Sequence, residues 1–124
     1  MLAIPKSSEN LLIVFTCKPL CSYRTREIKC LIRRGGNKLL VVEFFANWSP
    51  PCKQISPTFA AMSDRMTDVV FAKVDVDENQ ETQDVYGIEC FPTFIFFKNG
   101  KELERLEGVD ASGLRRLTIQ YKEN

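Results

Sequence analysis

The sequence predicts an α/β domain with a central mixed sheet flanked by helices on both faces. Three observations predict it. Residues 39–46 form a near-continuous apolar run, as expected of a central strand buried on both sides. Helix-period and strand-period segments alternate along the chain. Two further strand-like runs, 93–97 and 102–107, meet across Asn99-Gly100, a dipeptide suited to a tight hairpin turn. A chain of 124 residues, 44% apolar, is long enough for one domain with a real core and too short for two.

Each element has a local reason. Residues 11–16 are rich in β-formers and bounded by polar residues and Pro19, so they read as a first strand. Residues 1–18, which include this strand, are set apart as an N-terminal extension, and 19–124 as the domain. Residues 25–34 carry Ile28, Leu31 and Ile32 at helical spacing, and Gly35-Gly36-Asn37 stops that helix. After the strand at 39–46, a helix begins near Pro50 or Pro51, where proline fits the first turn; Pro57 is expected to kink it. Residues 69–76 read as a second central strand, and 78–86 as a short helix ending at Gly87. After the hairpin, Asp110 caps a final helix carrying Leu114 and Leu117. This order places Trp48 to Cys52 at the carboxyl end of a central strand, where ligand sites of open α/β sheets gather.

The net charge of +1 argues against nucleic acid or membrane as a dominant partner. The charge is nevertheless divided: residues 1–38 carry eight Lys or Arg against Glu9 and Glu27, while the rest is acidic. A basic arm or targeting segment explains this, and so does a helix with a solvated face of Arg24, Arg26, Lys29, Arg33 and Arg34. The apolar run at 11–15 is too short for a membrane span or a secretory signal. A cytoplasmic location is expected, with a mitochondrial transit peptide as the alternative left open by the acid-poor first third. Five cysteines at 17, 21, 30, 52 and 90 do not make the dense framework of a small secreted domain. With no histidine, and only Cys17 and Cys21 close in sequence, no metal site is expected.

Four segments carry a resemblance. Val41 to Trp48 leads into Ser49-Pro50-Pro51-Cys52-Lys53; Phe71-Ala72-Lys73-Val74-Asp75-Val76-Asp77 follows; then Phe91-Pro92-Thr93-Phe94; then Lys98-Asn99-Gly100 with Gly108 beyond. From about Gly36 onward the chain resembles the thioredoxin family, and the resemblance implies the thioredoxin fold. It also implies a thiol–disulfide active site without a bound cofactor, fed by thioredoxin reductase and NADPH where active. Position 49 is Ser where the family has its attacking cysteine, position 50 is Pro where Gly is commoner, and Glu43 stands where a buried Asp is usual.

In a working site of this kind the first cysteine sits at a helix N-terminus, which stabilises its thiolate, and the second resolves the mixed disulfide. The Ser49 hydroxyl has a pKa far above that of a thiol, and oxygen forms no mixed disulfide. Ser49 then has the alternative role of capping the helix through its side chain, worth about 1 kcal/mol. Cys52, at the resolving position, is either inert by burial or slowly reactive. The resemblance implies that Glu43 and Lys73 fall on adjacent central strands and pair beneath Cys52, as a proton relay or as a structural ion pair; burial raises the Glu43 pKa and the ammonium opposes it, so the net sign stays open.

The resemblance also implies that Phe91-Pro92-Thr93 holds a cis-proline opposite the helix. Trp48, Pro50, Pro51, Ile88, Phe91, Pro92 and Gly108 would then form a shallow groove for protein or peptide ligands in extended conformation. Cys90 lies on its rim, placed to form an intermolecular disulfide and so a Cys90-linked dimer. Three readings follow: a family member that has lost dithiol reduction and keeps groove binding or single-thiol chemistry; an active protein-disulfide reductase seen as a Cys-to-Ser variant at position 49; and a redox-sensing switch through Cys90 or Cys52.

Overall fold

The computed structural model describes residues 24–123. The strand expected over 11–16, the division after residue 18, and Cys17 and Cys21 all lie outside the described residues. In chain order the elements are α1 (Thr25–Arg34), β1 (Leu40–Phe45), α2 (Pro50–Arg65), β2 (Val70–Asp75), α3 (Glu81–Tyr86), β3 (Thr93–Lys98), β4 (Lys101–Glu107) and α4 (Ala111–Lys122). The sheet order is β2-β1-β3-β4. β1 runs parallel to β2 and antiparallel to β3, and β3 runs antiparallel to β4, so the sheet is mixed as expected. β2, read from sequence as central, borders the described sheet.

Side chains alternate across β1, and this parity divides the core in two. Leu40, Val42 and Phe44 join Ile28, Leu31 and Ile95 in a cluster beneath α1. Leu39 and Val41 join Ile55, Phe59, Met62, Phe94, Phe96, Leu114 and Leu117 in a second cluster beneath α2 and α4. Glu43 shares the parity of Val41, so it points toward α2.

Local chemistry sets the boundaries. Pro50 opens α2, and Pro57 lies within the helix without ending it. Asn99 (φ 56°) and Gly100 (φ 77°) both take the left-handed conformation that a tight hairpin turn requires. Asp110 caps α4, its Oδ1 accepting from the Gly113 N–H at 2.9 Å. The short helix expected from residue 78 starts at Glu81 instead. The intervening residues are held in turns anchored on Asp75, whose carbonyl accepts from the Glu78 N–H and from Asn79 Nδ2.

Candidate functional site

β1 ends at Phe45, and the next residues are pinned before α2 starts. Asn47 Nδ2 donates to Asp75 Oδ2 at 3.0 Å, and the Asp77 N–H donates to Asp75 Oδ1 at 2.9 Å. Buried Asp75, at the end of β2, therefore ties the loop after β1 to the loop after β2. Trp48 is 65% exposed, its Nε1 donates to Asp77 Oδ1 at 3.3 Å, and its ring stands edge-on to Phe91 at 5.8 Å. Asn47, Asp75 and Asp77 were not singled out from sequence. Their signal was two acids alternating at the end of an apolar strand, beside the end of its neighbour.

The Phe91–Pro92 peptide is cis. The Gly108 N–H donates to the Pro92 carbonyl at 2.9 Å, joining the two residues expected to share the groove. Pro50, Pro51 and Cys90 are exposed. Ile88 departs from expectation: it is 5% exposed and packs in the cluster beneath α1, because an apolar side chain at that position fills the core rather than the rim.

Ser49 occupies the N-cap of α2, yet its side chain makes no cap hydrogen bond. The reason lies in the next four residues. Pro50 and Pro51 have no N–H, and the N–H groups of Cys52 (3.1 Å) and Lys53 (3.4 Å) both donate to the Ser49 carbonyl. No donor of that first turn is left for the hydroxyl. Ser49 and Cys52 are each 4% exposed, so the remaining thiol of the motif is buried.

Beneath Cys52, Glu43 and Lys73 are register partners on β1 and β2. Of the two readings left open, relay or ion pair, the side chains do not make the ion pair. Lys73 Nζ sits over the Phe45 ring at 4.4 Å, and neither carboxyl oxygen of Glu43, a residue 1% exposed, has a hydrogen-bond partner among the described residues. Desolvation outweighs the attraction of the Lys73 ammonium and pushes the Glu43 pKa from 4.5 up to about 7. That resolves the sign left open by the sequence. Glu43, Lys73 and Cys52 line one opening of about 370 Å³.

Among the described residues no group of three or more His, Cys, Asp or Glu is placed to hold a metal, and no helix is long and apolar enough to cross a membrane.

The family model for thioredoxin matches residues 24–119. The chain is 44% identical over 85 residues to thioredoxin of Geodia cydonium, covering 68% of this chain and 80% of that protein. It is 35% identical over 99 residues to thioredoxin-1 of Caenorhabditis elegans, covering 80% and 86% respectively. The X-ray structure of Fasciola hepatica thioredoxin superposes with a TM-score of 0.77 at 38% identity, covering 80% of this chain and 95% of that one. Sheet order, the cis Phe91–Pro92 peptide and these likenesses agree: the chain belongs to the thioredoxin family.

Proposed function

We propose that this protein has lost dithiol reduction at Ser49, and that its surface around Trp48 and Pro92 binds extended protein or peptide segments, without a covalent intermediate or through a single thiol. One observation carries the reading: a hydroxyl, not a thiol, stands at the N-cap of α2, before the only cysteine of the motif. A thiolate there attacks a disulfide sulfur and leaves as the mixed disulfide resolves. Serine oxygen supports neither step. The rest of the surface is independent of that atom, since Trp48 is held by Asp77 and Phe91, and Pro92 by Gly108. Partners are proteins presenting extended segments, with thioredoxin reductase among them. A reducing, cytoplasmic setting suits the thiols Cys30, Cys52 and Cys90, which are free among the described residues.

Insulin reduction tests the reading. Insulin precipitation with the protein present is expected at the rate of the chemical reductant alone; turnover comparable to that of a Cys-X-X-Cys thioredoxin would sink the reading.

The exposed Cys90 thiol beside Phe91 supports a second reading, a peroxide-responsive switch that forms a Cys90-linked dimer. Non-reducing electrophoresis after mild peroxide is expected to show a dimer that Cys90→Ser abolishes. A protein that stays monomeric removes this reading.

A further inference from the structure

Arg105 of β4 is tied on two sides at once. Its Nε donates to Glu102 Oε2 at 2.6 Å and its Nη2 to Glu102 Oε1 at 3.3 Å. Its Nη1 also donates to the Gly87 carbonyl at 3.2 Å, and its Nη2 to the Tyr86 carbonyl at 2.5 Å. Those two carbonyls close α3. A helix leaves its last carbonyls without helical partners, and a charged donor makes a strong hydrogen bond to such a group.

An irregularity in the hairpin makes this fork possible. In a regular strand residues 102 and 105, three apart, point to opposite faces. Here the register shifts between Phe96 and Phe97, so that Arg105 stands opposite Ile95 and Glu102 opposite Phe97. Ile95 and Phe97 both belong to the cluster beneath α1, so Arg105 and Glu102 share that face. Tyr86 at the end of α3 packs on the same cluster, which brings its carbonyl within reach.

Arg105 and Gly108 thus hold the two ends of one loop. The guanidinium binds the carbonyls of residues 86 and 87, and the Gly108 N–H binds the Pro92 carbonyl at 2.9 Å. Between them Ile88 is buried in the core, the Cys90 carbonyl accepts from Thr93 Oγ1 at 2.7 Å, and Phe91 meets the Trp48 ring.

We propose that Arg105 is a positioning residue for the binding surface: its guanidinium, braced by Glu102, fixes the start of the 87–92 loop and thereby sets where Phe91 meets Trp48. The proposal deepens the reading that the Trp48 and Pro92 surface binds extended segments, and rests on it. Arg105 acts through the loop backbone, not by contact with a bound segment. A lysine does not replace it, because one ammonium lacks the planar fork that reaches two carbonyls and a carboxylate together.

The test is amide hydrogen exchange of the free protein, followed by NMR, together with acrylamide quenching of Trp48, the single tryptophan of the chain. The reporters are Gly87 and Ile88, whose N–H groups both donate to the Gln83 carbonyl. Arg105→Met keeps an apolar stem and removes the fork. It is expected to speed exchange at Gly87 and Ile88 at least about tenfold, to leave the amides of β1 unchanged, and to raise the quenching of Trp48. Arg105→Lys is expected to behave like the Met variant. Glu102→Gln, which removes the charge of the brace and leaves the guanidinium, is expected to move both readings the same way by less. It keeps the test decisive if the Met variant folds poorly. A residue that served stability alone would speed exchange across β1 and β3 as well. Exchange at Gly87 and Ile88 that stays unchanged, that rises only with the whole sheet, that rises with Trp48 unmoved, or that Arg105→Lys restores in full overturns the proposal. These measurements contain no bound segment and no disulfide substrate, so their failure leaves the binding reading and the insulin result to stand on their own.

Discussion

At the scale of single residues, the first turn of α2 is poor in donors as well as lacking a sulfur. Thiolates at helix N-termini are stabilised by free N–H groups and the helix dipole. Here prolines supply no N–H at positions 50 and 51, and the next two N–H groups are spent on the Ser49 carbonyl. Ser49→Cys is therefore expected to give a thiol that ionises at higher pH than in the double variant Ser49→Cys/Pro50→Gly, as measured by the pH dependence of iodoacetamide alkylation. Equal titrations in the two variants would show that the added N–H does not reach the sulfur. Glu43 yields a second expectation. Its folded pKa is about 7 against 4.5 unfolded, so the folded state binds the extra proton between those values. Stability contributed by the neutral carboxyl is full below about pH 4.5 and is lost as pH rises to about 7, by up to ~3 kcal/mol. Denaturant unfolding of Glu43→Gln is expected to lack that fall, and an unchanged pH slope would contradict the burial account. The missing sulfur was legible in the sequence because residue identity alone decides it. The Glu43 charge state was not, because it depends on which way the Lys73 side chain turns, and that chain lies over Phe45.

At the scale of elements, period and punctuation were enough for most boundaries. The helix at residues 25–34 and the hairpin across Asn99-Gly100 followed from apolar spacing and glycine, and the structure has both. The start of α3 was not legible, because Glu78 satisfies a helix pattern while Asp75, three residues earlier, takes its N–H into a turn. The Asp110 cap on α4 was legible, since a carboxylate before an apolar-periodic run has few competing roles. Asp110→Ala is expected to cost about 1 kcal/mol in denaturant unfolding, while Asp110→Asn keeps most of the stability. A loss for Asn as large as that for Ala would move the explanation from the Gly113 hydrogen bond to something else.

At the scale of the whole molecule, one sheet holds two apolar clusters together. Because β1 contributes alternate residues to each, neither cluster can come apart without disturbing the strand that builds the site. Phe59 packs at 5.3 Å from Phe71 and 5.5 Å from Phe94, and Phe44 lies 5.4 Å from Tyr86 on the opposite face. Phe59→Ala and Phe44→Ala are each expected to cost about 3–5 kcal/mol and to shift one common unfolding transition. Separate transitions would mean that the two faces unfold independently. The alternating order of elements made this architecture legible, whereas the hydrogen bonds of Asn47, Asp75 and Asp77 that hold Trp48 come from residues far apart in sequence. The proposed loss of dithiol reduction at Ser49 requires that the rest of the scaffold be competent. NADPH consumption with thioredoxin reductase and a disulfide substrate, measured for the chain as it stands and for Ser49→Cys, tests it most directly. Consumption by the Cys form alone is the expected result; equal rates in the two proteins, whether both high or both absent, contradict it.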